Sequence, residues 1–144
     1  MPLARSRSLY CIGRGPGLAI AGEAVLKSKE TCRIHAEAYS PAEVRHGPIA
    51  IAGSHLAAPV FGTRRTAGRS IETVMAQLQD KGAVILLADQ DDPQAALPVP
   101  VATHDLLFPP LQAVAFYRFL ERLTCDLGFN PDAPVGLNKV TRMM

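Results

Sequence analysis

The run Ala83-Val-Ile-Leu-Leu-Ala-Asp89 constrains the fold more than any other segment. It is continuously apolar and β-rich, which suits a strand covered on both faces. Just before it, Ile71, Val74, Met75 and Leu78 recur at three or four residues, predicting a helix over 69–81 that Lys81-Gly82 closes. A helix feeding a doubly covered strand points to a sheet with helices packed on it.

The rest of the chain repeats the alternation. Ser8 to Gly13 (SLYCIG) reads as a buried strand, and GRGPG at 13–17 as a turn. A helix follows from Leu18 to about Cys32, with Leu18, Ile20, Ala21, Ala24, Val25 and Ser28 on its apolar side. After Ile34 the pattern loosens and reads as a loop. Ser40-Pro41 starts a short helical segment, with Ser40 as N-cap and Glu43 at the third position, and Gly47-Pro48 stops it. Ala58 to Gly62 reads as the second core strand and Ala96 to Val101 as a short one. A last helix, from about Leu111 to Leu127, turns Val114, Phe116, Phe119, Leu120 and Leu123 inward. The tail is too rich in Pro, Gly and Asn for a regular element. The fold class is α/β with a mostly parallel sheet, and its default site is the crevice at the carboxyl ends of the strands.

Composition narrows the function. Hydrophobic residues make up 48% of the 144 residues and charged ones 19%, enough for a folded core. The net charge of +2 is small and its basic residues are scattered, so no nucleic-acid surface is expected. No apolar run reaches membrane-spanning length, and the basic start lacks a signal-peptide core. Three cysteines without CxxC spacing fit a reduced, cytoplasmic protein.

Chemistry concentrates between Glu23 and His46. That stretch holds Cys32, His35, His46 and four of the thirteen acids, at Glu23, Glu30, Glu37 and Glu43. Helical spacing places Glu23, Lys27 and Glu30 on one face; such a row is either a solvated surface or one wall of a polar site. Glu43-x-x-His46 has the spacing of a carboxylate-histidine metal motif, but the chain supplies too few inward-facing helices for such a site. Neither a metal nor a cofactor is expected. In GRGPG, Leu18 stands where the dinucleotide fingerprint needs its last glycine, so NAD is disfavoured; a tight turn and a ligand loop remain equally open. His46, at a helix end, has the chemistry of a proton carrier near neutral pH. Lys139, in the tail, is either soluble surface or a lysine that folds over a pocket and bonds a carbonyl sugar.

Two long segments carry a resemblance. GRGPGLAIAGEAVLKSKETCRIHAEAYSPAEVRHGP and the ending PDAPVGLNKVT resemble the second sugar-isomerase (SIS) domain of the glucosamine-6-phosphate synthase group. The version here is nearest to the members without a glutaminase domain, the SIS-type glucosamine-6-phosphate deaminases. The resemblance implies a three-layer α/β/α sandwich of flavodoxin-like type over residues 8–128, after a disordered start at 1–7 and before a tail at 129–144 that covers the active site. It implies that Glu30 moves a proton between C1 and C2 of the open-chain sugar. His46 opens the sugar ring, typically in the neighbouring subunit's site. Lys139 bonds or covers the open chain, and Glu23 and Lys27 line the site beside Glu30. The ligand implied is a phosphorylated hexosamine or ketohexose, and the assembly a homodimer.

The departures are as informative. Relatives carry two SIS domains and hold phosphate on a Ser/Thr-rich loop of the first. No SGxSxxT-like segment occurs here, so the expected chain is the second half alone, inactive or weakly active without its companion. The TRMM ending also differs from the acidic ending usual among relatives. Three functions stay open: a deaminase or isomerase half, the isomerase domain of a glutamine-dependent aminotransferase, and a non-catalytic phosphosugar-binding or dimerisation module.

Overall fold

The computed structural model describes residues 6–62, 64–92 and 95–137, with the side chains of 64–68 outside that description. The element order is β1 (Ser8–Gly13), α1 (Pro16–Lys27), a π-helical turn (Ser28–Cys32), β2 (His35–Tyr39), α2 (Pro41–Arg45), a 3₁₀ turn (Pro48–Ile51), β3 (Leu56–Phe61), α3 (Arg64–Asp80), β4 (Val84–Asp89), β5 (Leu97–Pro98), a second 3₁₀ turn (Asp105–Leu107) and α4 (Phe108–Asp126). The five strands lie in the order β2-β1-β3-β4-β5, and every pairing is parallel. The chain therefore steps outward from β1 to β2, returns to β3 on the other side, and creates a switch point between β1 and β3.

Alternation along the central strands sends side chains to two cores. Leu9 and Cys11 of β1 with Ala57 and Phe61 of β3 meet α1 and α4, where Phe61 and Phe116 pack edge to face at 5.5 Å. Tyr10 and Ile12 with Ala58 and Val60 meet Val44 of α2 and Ile71, Val74 and Leu78 of α3. The result is the expected three-layer α/β/α sandwich, and each large aliphatic side chain taken fully out of water contributes about 1.5–3 kcal/mol.

Most elements fall where the sequence puts them, with instructive shifts. β1 keeps its expected bounds, and β4 begins one residue later, at Val84. The stretch expected to be loose after Ile34 is a strand: His35 to Tyr39 pair in register with Ser8 to Ile12. It is an edge strand, so its charged residues face outward and disguise it. Two residues expected inside lie outside: Val114 is 51% exposed and Leu18 38%. α3 and α4 each start earlier than expected, α4 because Pro109 and Pro110 suit a first helical turn.

The Ser40 cap forms as expected. Its Oγ accepts from the Glu43 N–H at 3.3 Å, and the Glu43 carboxylate accepts from the Ser40 N–H at 2.7 Å. The Ser40 backbone N–H first, and the Ser40 hydroxyl second, hold the Glu43 carboxyl below its ordinary range. Ser40→Ala should therefore lower unfolding stability by about 0.5–2 kcal/mol in a urea titration at neutral pH.

Candidate functional site

α1 leaves the carboxyl end of β1 and runs back along the sheet, so its last turn arrives at the amino end of β2. There the helix widens into the π-turn Ser28–Cys32, and Arg33 takes a left-handed conformation (φ 57°) that reverses the chain into β2. A π-turn holds one residue more per hydrogen-bonded ring than an α-turn, and such turns recur at functional sites. Glu30 is that turn's carboxylate. Buried polar contacts hold the backbone beneath it: the Ser28 hydroxyl donates to the Ala24 carbonyl at 2.7 Å, and Cys32 Sγ lies 3.1 Å from Thr124 Oγ1 of α4.

Around Glu30 the row expected from the sequence assembles. Lys27 Nζ donates to Glu30 Oε2 at 2.7 Å, with the two side chains 36% and 27% exposed. This bond to Glu30 raises the Lys27 pKa above its ordinary value, against partial burial, and the nearby Glu23 carboxylate adds to it. Lys27 is thus the charged ammonium at neutral pH, and its bond steers one oxygen of Glu30. Tyr117 of α4, which nothing in the local sequence singles out, donates its hydroxyl to Glu23 Oε1 at 2.6 Å. Burial first, and that bond to Glu23 second, push the Tyr117 phenol up to about 12.

Beside this row is a basin of about 420 Å³. Lys29, Glu30, Arg33 and His35 line it together with Val135 and Leu137 of the tail. Phe129 fixes the start of that tail by lying under the Arg33 guanidinium, 5.8 Å from ring centroid to charge. Lys139 lies outside the described residues.

His46 is not brought to Glu30. It caps α2 on the layer opposite α1, after β2, whereas Glu30 precedes β2. The five residues of that strand alone span about 16 Å. Glu37 and Tyr39 are also separate from the row: Tyr39 donates to Glu37 Oε2 at 2.9 Å, and His35 Nε2 is 4.0 Å from the same oxygen. With Glu43 engaged by its cap, the Glu43-x-x-His46 spacing serves a helix start. No group of three potential metal-ligand side chains occurs among the described residues.

The GRGPG turn proves to be a packing device. The N–H groups of Gly17 and Leu18 donate to the Arg14 and Gly15 carbonyls within the turn, and Pro16 has none to offer. Those two donors are thereby engaged within the turn and not free for a phosphate.

The fold is that of an α/β domain of the sugar-isomerase (SIS) type. The chain is 33% identical over 148 aligned residues to glutamine--fructose-6-phosphate aminotransferase [isomerizing] of Pyrobaculum aerophilum, and 34% identical over 144 to that of Gloeobacter violaceus. It belongs to the SIS domains of the glucosamine-6-phosphate synthase and SIS-type deaminase family. The alignments cover 95% and 93% of this chain but only 24% and 23% of those relatives, so the chain spans about a quarter of their length. Among solved structures, glucosamine-6-phosphate deaminase of Thermotoga maritima superposes with a TM-score of 0.78 at 21% identity, over 96% of this chain and 41% of that one. A structure described as a phosphosugar isomerase of Silicibacter pomeroyi matches with a TM-score of 0.74 at 36% identity, over 87% of this chain and 38% of that one. No protein-family model matches the chain.

Proposed function

We propose that this chain supplies the proton-transfer half of an amino-sugar-phosphate deaminase or isomerase, converting glucosamine 6-phosphate to fructose 6-phosphate and ammonia. The observation that carries this reading is the Glu30 carboxylate, steered by Lys27 at 2.7 Å and lining an open basin that Val135 and Leu137 of the tail also line. With the sugar open, C1 is an aldehyde and C2 bears the amine. Glu30 takes the C2 proton and returns it to C1 while a second proton passes from the amine to the C1 oxygen, leaving an imine at C2 that water hydrolyses to the ketone and ammonia. Val135 and Leu137, four and two residues before Lys139, line the basin, which supports Lys139 as the lysine over the open chain. The names of the relatives and neighbours, which act on fructose 6-phosphate or glucosamine 6-phosphate, support the substrate class.

His46, on the far layer, acts on this reading in a neighbouring subunit's site, and the assembly is a homodimer in the cytoplasm. The phosphate is anchored by a companion SIS domain. The curated relatives are aminotransferases, which favours as second reading the synthetic direction, with ammonia added to fructose 6-phosphate.

The test is an assay of ammonia and fructose 6-phosphate released from glucosamine 6-phosphate, with the chain alone and joined to a companion SIS domain. Turnover is expected in the joined form. A joined form that binds the sugar phosphate in calorimetry yet releases no ammonia would leave a binding module instead.

A further inference from the structure

Lys27 has two carboxylates along one helix face, and it bonds the one that helical geometry favours less. Glu23 lies four residues before it and Glu30 three residues after. In a plain helix, glutamate four residues ahead of lysine is a favoured pair. A helical side chain also leans toward the amino end of its helix, which takes Lys27 toward Glu23. Yet Lys27 Nζ meets Glu30 Oε2 at 2.7 Å, and among the described residues no cation is within ion-pair distance of Glu23. Lys27 feels Glu23 only through space, as the last and smallest of the influences on its pKa.

Tyr117 supplies a reason. Its hydroxyl donates to Glu23 Oε1 at 2.6 Å, the length of a charge-assisted bond to a carboxylate. Because burial first and Glu23 second push its phenol up to about 12, Tyr117 remains a donor throughout the neutral range. The bond ties Glu23 of α1 to α4. Tyr117, Lys27 and Thr31 line one hollow of about 140 Å³ between these elements, so the phenol and the lysine are neighbours. On the other side of Lys27, the Thr31 hydroxyl donates to the Lys27 carbonyl at 2.9 Å and belongs to the π-turn that carries Glu30.

We propose that Tyr117 is a positioning residue for Glu30: its hydroxyl occupies Glu23, and Lys27 is thereby committed to Glu30. The inference rests on the reading of Glu30 as the group that moves the sugar proton. Tyr117 itself acts through Glu23 and Lys27, not on the sugar. Without the hydroxyl, two carboxylates compete for one ammonium, and Glu30 loses its steering for part of the time. A carboxylate that must serve two adjacent carbons is sensitive to such loosening, since a misplacement of about 1 Å is costly in rate.

Tyr117→Phe removes the hydroxyl and keeps the ring, which is 39% exposed, so the fold survives the change. Two measurements read its effect. In the chain alone, carbon NMR of the glutamate side-chain carboxyls reports which of them the ammonium meets. Lys27→Met should move the Glu30 carboxyl resonance and leave that of Glu23 nearly in place. In a chain that carries Tyr117→Phe, the same Lys27→Met should move both. In a form joined to a companion SIS domain, Tyr117→Phe should lower kcat for ammonia release about three- to tenfold, with KM little changed. Where Lys27→Met is already present, Tyr117→Phe should lower kcat no further, because no ammonium is left to direct. A role in packing α4 on α1 would instead give the same factor in both backgrounds. The proposal is overturned if the Glu23 carboxyl ignores Lys27→Met even with Tyr117→Phe, since the π-turn alone would then direct Lys27. It is equally overturned if the kinetic factors multiply. A joined form that releases no ammonia, while the carboxyl resonances respond as expected, defeats the Glu30 reading and upholds the commitment of Lys27 by Tyr117.

Discussion

Glu30→Gln should lower kcat for ammonia release from glucosamine 6-phosphate by about 10²–10⁴-fold in an assembly that turns the sugar over, with KM changed little. The expectation follows from what the substitution keeps. Glutamine has nearly the shape of glutamate, and its amide oxygen can still accept from Lys27 Nζ, so the 2.7 Å contact and the π-turn survive. Only the ability to take a proton from carbon is removed. A loss confined to kcat is the mark of an interaction made in the transition state, whereas a raised KM with kcat intact would mean that Glu30 merely lines the pocket. Initial rates over a range of sugar concentrations separate the two. Turnover unaffected by Glu30→Gln would remove the base from the mechanism altogether.

Local physics made much of this molecule legible, and non-local physics hid the rest. β1, β4 and α4 announced themselves because an apolar run or a three-to-four-residue period is a property of a few neighbours. β2 did not, because His35-Ala-Glu-Ala-Tyr39 sits at a sheet edge, where Ala36 and Ala38 face the α1 core and the charged residues have water. The Glu23, Lys27 and Glu30 row followed from helical spacing alone. Its widening into a π-turn did not, since Ser28-Lys-Glu-Thr-Cys32 are all residues an α-helix accepts; the buried contact of Cys32 with Thr124, 92 positions away, accompanies the wider turn. Tyr117 meets Glu23 across 94 positions, a pairing that strand order and helix packing decide. The separation of His46 from Glu30 likewise depends on which layer α2 joins. The short interval between them in sequence concealed that they lie on opposite sides of the sheet.

Gly17→Ala should cost at least about 3 kcal/mol of unfolding free energy, measured by urea titration. A β-carbon at Gly17 would lie 2.3 Å from the Phe61 carbonyl oxygen, which is backbone and cannot swing away. Relief requires α1 to lift from β3, and Phe61 is the residue whose ring packs on Phe116 between the sheet and α4. Two neighbouring glycines separate this cause from others. At Gly15 a β-carbon meets nothing within 4 Å, but φ is +56°, so Gly15→Ala should lose a smaller amount, about 1–3 kcal/mol, from backbone strain alone. At Gly22 there is open space and an ordinary helical backbone, so Gly22→Ala should gain up to about 1 kcal/mol. If all three lost the same amount, helix propensity and strain would explain the turn as well as packing does. A graded series with Gly22 on the stabilising side means that the glycine after Pro16 exists to let a helix approach a strand, and that the turn's close packing, not a phosphate, accounts for its composition.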